Sequence, residues 1–375
     1  MQSLGLDGTA VHRICGGDAK GLCKSGNFQS GPVPADSSHT LTPTRRLTAR
    51  EVAARAGVSI SAVSRTFTEG ASVAPATRER VLLAARELGY RPNLLAQSLM
   101  TGRTKLIGLV SNNFDNPAFM EIFDQFTRRL QQRGLRPLLA NLSGTTETAA
   151  ALDMLLQYNV DGVIVASSTL PQPFLDGCRG AGLPLVHAFG RARPSSRITV
   201  AGVDNVAGGR LAASTLAERG YRRIAFLGGP KAATSTIDRL AGLTIELERH
   251  GLRPHATVFG TSYAHEDGRA LMHALLEQDG SDAVFCGDDI LAMGALDACV
   301  EAGVEVPRQV GIIGFNDIAM AAWPSYRLTT IRQPIGDIIS AAVDMIAAIV
   351  DRGAIRPASQ VFGCSLIERN TLKPR

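Results

Sequence analysis

The stretch VAARAGVSISAVSRTF, residues 52–67, gathers small and apolar residues around one glycine and then turns to hydroxyls and an arginine. Gly57 falls between two helical patterns, where a tight turn calls for a residue tolerant of positive φ. The pattern therefore predicts a helix-turn-helix. In its second helix Val63 and Phe67, four apart, are expected to share the buried face with Val52, Ala53 and Ala56. Ile60, Ser61, Ser64, Arg65 and Thr68 then point outward. Short hydroxyls beside an arginine suit a helix pressed into a DNA major groove, where small donors reach phosphates and an arginine pairs bidentately with guanine. A motif this short equally fits a small-residue hairpin with a solvated polar face.

Working outward, the segments TAREVAARA, SISAVSRTF and ATRERVLLAARELGY place apolar residues at i, i+3 or i+4, and i+7 between residues 47 and 90. Three short helices are expected, with Pro75 in the first turn of the third. RPNLLAQSLMTGRTK follows as a basic, helix-capable connector, with Asn93 placed to cap it. Residues 45–105 carry eleven Arg or Lys against four Glu, a balance of +7, while 1–44 balance to zero and 106–375 to −2. Positive charge concentrated in one segment suits a polyanion-binding module on a near-neutral body, because phosphate neutralisation with counterion release drives nucleic-acid binding. It is also compatible with a solvated basic face. Residues 1–45 are rich in Gly, Ser, Thr and Pro, lack any period, and read as an unstructured tail.

Beyond Lys105 short apolar runs alternate with amphipathic helical stretches: LIGLVS, LRPLLANLS, DGVIVASS and PLVHAFG, then ITVAGVDN, RRIAFLGG, AVFCGDD and VGIIGFND. Runs of Val, Ile and Leu separated by helices indicate parallel sheet covered on both faces. Eight runs in two groups of four predict two doubly wound lobes, each with a cleft at the carboxyl ends of its strands.

A parallel α/β body suits many enzymes, but GxGxxG, GxxxxGK[ST], GxSxG and HExxH are all missing from the chain. Hydride transfer and hydrolysis lose their usual anchors, and no enzyme is expected. The six cysteines (Cys15, Cys23, Cys178, Cys286, Cys299, Cys364) are scattered, and three lie in apolar runs, which favours reduced thiols. The seven histidines form no ligand-spaced pair, so no metal or cofactor is expected. His187, inside PLVHAF, reads as a satisfied buried histidine. With neither an export signal nor a membrane-length apolar run, a cytoplasmic protein is expected.

LTAREVAARAGVSISAVSRTF, followed by TRERVLLAARELGYRPNLLAQSLMTGRT, resembles the DNA-binding headpiece and hinge of the lactose-repressor (LacI) family of bacterial transcription regulators. The resemblance continues through NPAF, DGVIV, GVDN, RIAFLGG, DRLAG, MGAL, GIIGFND and LTTIRQP, and covers roughly 47 to 375. It implies a helical headpiece followed by a two-lobed, periplasmic-binding-protein-like α/β domain. Ile60, Ser61 and Arg65 occupy positions that read bases, and Thr48, Ser59, Ser64 and Thr77 match phosphate-binding hydroxyls. Ala62 and Ala74 stand where many members carry hydroxyls. The hinge helix spans 92–104 and includes Asn93, Ala96 and Leu99, Leu99 matching the leucine that wedges into the minor groove. Leu99 also reads as a dimer or core contact.

The implied effector site lies between the lobes. Asn113, Asn116, Phe119, Asp204, Arg239, Asp288 and Asn316 are its candidates, a mixture of donors, acceptors and an apolar wall suited to a polyol. Each has a plainer alternative. Asn116 could cap the helix beginning at Pro117, Phe119 could be a core aromatic, and Asp204 or Asn316 could close a turn. Asp288 stands where asparagine is usual and Asn316 where aspartate is frequent. The expected protein is a homodimeric, operator-binding regulator that answers to a small metabolite, by default a sugar or sugar acid. Its partners are double-stranded DNA and that effector, with no membrane role, and the alternative is a solute-binding protein. The expected division is a headpiece over 46–91, the hinge, and an effector domain over 105–375, with lobes at 105–203 and 204–330 and the segment 331–375 crossing between them.

Overall fold

The computed structural model describes residues 47–375 apart from 69, 93–97, 99–101, 113, 115, 143–144, 168–170, 192–197, 279 and 354–357. The chain divides into two compact units, one holding the first three helices, to Thr66 and over Ser72–Tyr90, and one taking Phe67–Ala71 with the α/β body from Arg91 onward. In the first, α1 (Ala49–Ala56), α2 (Ile60–Thr66) and α3 (Pro75–Leu88) pack around Val52, Val63 and Val81, each fully buried. Gly57 closes α1 at φ 63°, and the Val58 amide returns to the Ala53 carbonyl at 3.0 Å. That left-handed turn is what the glycine permits.

The buried face of α2 differs from the expected one. The helix ends at Thr66, so Phe67 falls past it and is only half-buried. Thr66 takes the interior place at 5% exposure, its hydroxyl donating to the Ala62 carbonyl at 2.8 Å so that no polar atom is stranded.

The body contains two six-stranded sheets. The first comprises β1 (Leu106–Ser111), β2 (Arg136–Asn141), β3 (Gly162–Ala166), β4 (Leu185–Ala188), β5 (Thr199–Val203) and β11 (Ser359–Phe362), in the order β11-β5-β4-β3-β1-β2 and parallel throughout. The second comprises β6 (Ile224–Gly228), β7 (Thr257–Phe259), β8 (Ala283–Cys286), β9 (Gly311–Asn316), β10 (Thr330–Arg332) and β12 (Ser365–Ile367). Its order is β12-β10-β9-β8-β6-β7, with only β12 antiparallel. Two sheets of six replace the expected groups of four, and β5 pairs with β4 in the first sheet rather than joining the second group.

Helices cover both faces of each sheet, which is why the strands read as unbroken apolar runs. On the first sheet α4 (Ala118–Gln132) and α11 (Ile335–Arg352) bury Phe126, Leu130, Ile339 and Ile346 against Ile107, Leu109 and Ile164. The other face carries α5 (Thr145–Gln157) and α6 (Gln172–Gly180), with Leu155 and Phe174 buried. On the second sheet α7 (Asn205–Glu218) and α8 (Thr234–Arg249) cover one face, and α9 (His265–Glu277) and α10 (Asp289–Glu301) the other. The chain passes to the second lobe after β5, returns as α11 and β11, and leaves again as β12. Three connections thus run between lobes.

The α7–α8 crossing is made by two glycines. A Cβ on Gly209 would sit 2.2 Å from the Arg239 carbonyl oxygen, and one on Gly242 would sit 2.1 Å from that of Val206. Only hydrogen fits there. This close approach brings Asn205, at the head of α7, together with Arg239 in the second turn of α8.

Candidate nucleic-acid interface and interlobe cleft

In the helical unit the second helix presents what a nucleic-acid contact needs. Ile60, at the helix entry, is 47% exposed, which is unusual for an isoleucine that could otherwise serve the core. Ser61 and Arg65 are exposed and Ser64 is half-buried. Arg65 lies along its own helix, its Nε donating to the Ser61 carbonyl at 3.4 Å. Ser59 caps α2: its Oγ accepts from the Ala62 amide at 3.2 Å and meets the Ser61 hydroxyl at 2.9 Å. Thr48 caps α1 in partnership with Glu51, whose carboxylate accepts from the Thr48 amide at 2.7 Å and hydroxyl at 3.0 Å. The structure therefore gives Ser59 and Thr48 capping work in addition to any phosphate contact. Thr77 is half-buried in the first turn of α3, and Ala74 precedes that helix with no side-chain cap, as expected of an alanine there. Asn93, Ala96 and Leu99 lie outside the described residues, as does Asn113.

Within the body, Asn116, Phe119, Arg239, Asp288 and Asn316 line one cleft between the lobes. Asn116 and Phe119 come from the first lobe, at the head of α4. Asp288 caps α10 of the second lobe, its Oδ1 accepting from the Ile290 amide at 2.8 Å. Its Oδ2 accepts from Asn316 Nδ2 at 2.8 Å and, at 3.5 Å, from Asn116 Nδ2 across the lobes. Burial raises the Asp288 carboxyl to about 6, against the opposing pull of these donors and of Arg239. Asn116 also caps its helix, with Oδ1 accepting from the Ala118 amide at 2.9 Å, so the plainer reading and the cleft position hold together.

Arg239 is 5% exposed and firmly held. Its Nε donates to Asn205 Oδ1 at 2.8 Å, Nη1 donates to the Gly287 carbonyl, and the guanidinium lies 3.6 Å from the centroid of the Phe315 ring. Asn316 closes β9 at φ 128°, a conformation that asparagine tolerates better than most residues. Asp204 has a different task. It is exposed, is not among the lining residues, and caps α7 by accepting from the Ala207 amide at 2.8 Å.

Sequence reading missed Phe189, Asn205, Ser235, Tyr263 and Gln333, which also line the cleft. Asn205 and Gln333 sit inside GVDN and LTTIRQP and were within reach of a closer reading, whereas Ser235 has no local signal. The Tyr263 hydroxyl meets those of Ser235 at 2.8 Å and Thr236 at 3.0 Å. The cleft is open to solvent on one side, with about 580 Å³ of empty space between its walls. Next to the site, buried Asp289 accepts from Thr330 Oγ1 at 2.5 Å and the Ile318 amide at 3.0 Å, tying the strand ends together, and burial raises it to about 7. Among the described residues no cluster of ligating side chains could hold a metal, and no helix is long and apolar enough to cross a membrane.

A glycine-closed helical hairpin exposing Ile60, Ser61 and Arg65, carried on the same chain as two doubly wound lobes around a cleft, is the architecture of a two-lobed DNA-binding regulator. Residues 48–93 match the model of bacterial regulatory proteins of the lacI family, and 213–372 match a periplasmic binding protein-like domain. The HTH-type transcriptional repressor PurR of Escherichia coli O1:K1 / APEC is 34% identical over 331 residues, covering 87% of this chain and 96% of that protein. The lac repressor dimer bound to operator and the anti-inducer ONPF is similar in structure, with TM-score 0.78, 27% identity, and coverage of 88% of this chain and 100% of that one. The transcriptional regulator CelR–cellobiose complex aligns with TM-score 0.67, 29% identity, and coverage of 87% and 100%. The chain belongs to the lacI family of bacterial regulatory proteins. It is a DNA-binding transcription regulator and not an enzyme.

Proposed function

We propose that the protein is a repressor that binds operator DNA as a homodimer and changes its operator affinity when a carbohydrate occupies the interlobe cleft. On this reading 46–91 is the headpiece, 92–104 the hinge with Asn93, Ala96 and Leu99 at the minor groove, and 105–375 the sensing and dimerising body. Ile60, Ser61 and Arg65 read bases, while Thr48, Ser59, Ser64 and Thr77 meet phosphates.

One observation carries the sensing role: the buried Asp288 carboxylate takes donors from Asn316 of its own lobe and Asn116 of the other. Phe119 and Phe189 line the same cleft and supply an apolar wall. Hydroxyl-rich ligands need that combination, since buried hydroxyls must be paired while the ring face prefers apolar contact. The dimer-on-operator and cellobiose-bound relatives add support for the partners. Because both lobes contribute groups, a ligand there binds the lobe arrangements unequally and shifts their populations.

The test is duplex binding by the full chain, measured with and without a panel of mono- and disaccharides and sugar acids. A ligand that shifts the midpoint tenfold or more, and whose effect disappears in Asp288→Ala, supports the proposal. Tight, sequence-specific DNA binding that no such ligand alters would leave a regulator without carbohydrate sensing.

A further inference from the structure

Gln333 lies between β10 and α11, where the chain passes back to the first lobe, and it lines the cleft. It is 8% exposed, and its Oε1 is one of two buried side-chain polar atoms left without a partner among the described residues. The direction of the neighbouring hydrogen bonds fixes which amide atom is left over. Asp288, as a carboxylate, can only accept, so Asn316 must turn Nδ2 towards it, at 2.8 Å. Asn316 Oδ1 is then an acceptor, and Gln333 must donate Nε2 to it, at 2.6 Å. Turning the Gln333 amide over would set two carbonyl oxygens against each other. The Asp288–Asn316–Gln333 relay therefore ends in an acceptor held in a fixed orientation. A buried acceptor without a donor is destabilising, and it favours any ligand that supplies one.

We infer that Gln333 is a specificity residue of the cleft, whose Oε1 accepts a hydrogen bond from a hydroxyl of the bound sugar and disfavours ligands that offer only an acceptor or a hydrocarbon edge there. The inference rests on the proposed effector role of the cleft. An N–H group of a nucleobase would satisfy the same acceptor, and the probes below distinguish the two sources.

The experiment uses the full-length protein. D-glucose, D-galactose, D-gluconate, cellobiose and adenine are screened by thermal shift, and binders are measured by calorimetry alongside their monodeoxy derivatives. Wild-type protein is compared with Gln333→Met, which keeps the length without the acceptor, and each hydroxyl of a binder is also replaced by fluorine, which removes the donor and nearly keeps the size. For one ligand hydroxyl, deletion should weaken wild-type binding by about tenfold and have no further effect in Gln333→Met, while other deletions remain additive. Fluorine in place of that hydroxyl should weaken wild-type binding as its deletion does, so the inference stays open to refutation even when Gln333→Met fails to fold. Binding of adenine alone, lost in Gln333→Met, would keep the acceptor role and overturn the sugar assignment. A sugar that binds wild type and Gln333→Met with the same deletion profile would overturn the inference and leave the cleft's sensing role standing. No binding by any probe would remove both.

Discussion

Arg191, just after β4 of the first lobe, and Asp238, on α8 of the second, form a two-pronged ion pair that joins the lobes directly. Arg191 Nε donates to Asp238 Oδ2 at 2.7 Å and Nη2 donates to Oδ1, with a longer reach to the Thr234 carbonyl at 3.4 Å. The paired geometry gives specificity as well as attraction. Asp238 precedes Arg239 on the same helix, so the pair fastens the cleft beside its most constrained cation.

Because both partners retain some exposure, Asp238→Asn should cost less than about 1 kcal/mol of global stability. Its larger expected effect is on lobe arrangement. Effector affinity should fall by up to about fivefold, the equivalent of that energy moved into the closing equilibrium. Calorimetry with any ligand found for the wild type checks this, and an unchanged affinity would show that the ion pair has no part in closure.

Arg65→Ala should weaken binding to the preferred duplex by about 1–3 kcal/mol and leave affinity for unrelated duplexes nearly unchanged. Fluorescence anisotropy on both kinds of DNA separates the outcomes. Equal losses on every sequence would make Arg65 a phosphate contact only.

Gly242→Ala places a methyl where the Val206 carbonyl oxygen would be 2.1 Å away, against backbone that cannot swing aside as a side chain can. Overpacking of this kind typically costs about 1–3 kcal/mol. Since Arg239 lies three residues earlier on α8, effector affinity should fall with stability. A urea melt and a ligand titration on the same sample test the linkage.

His187 gives a pH prediction. Its Nε2 donates to the Ser167 carbonyl at 2.8 Å, and burial holds its pKa near 4, below the ordinary 6.5. The unfolded chain thus binds more protons between those values, so this histidine's contribution to stability is lost as pH falls from 6.5 towards 4. Asp288 and Asp289, raised to about 6 and about 7, act in the opposite sense, because the folded state holds their protons more tightly. A difference measurement isolates the histidine: between pH 7 and pH 4.5, His187→Gln should lose about 2–3 kcal/mol less stability than wild type. Equal losses would mean that His187 is not held neutral.

The parts of the fold most legible in the sequence were those written in local pattern. Gly57 marked the hairpin turn, and eight long apolar runs marked eight strands. β7, β10 and β12 escaped because each spans three residues, too few to show a period, and β11 escaped because it is largely exposed and so is not an apolar run. The sheet membership of β5 escaped for another reason: pairing between distant strands leaves no trace in either strand's own sequence. The cleft shows the same division. Asn116, Asp288 and Asn316 follow or end strands and Phe119 lies in the first turn of α4, whereas Arg239, in the second turn of α8, was marked only by the resemblance of DRLAG, and Gln333 enters the cleft where the chain returns to the first lobe. Asp204 shared their placement after a strand, but its carboxylate turned back onto its own helix.

The most direct test of the account is selection from a pool of random duplexes by the full-length protein, followed by titration of the winning sequence against salt. A single preferred sequence is expected, with two half-sites in inverted order and a steeply falling log K against log salt concentration. Recovery of no preferred sequence, together with a nearly flat salt dependence, would contradict it.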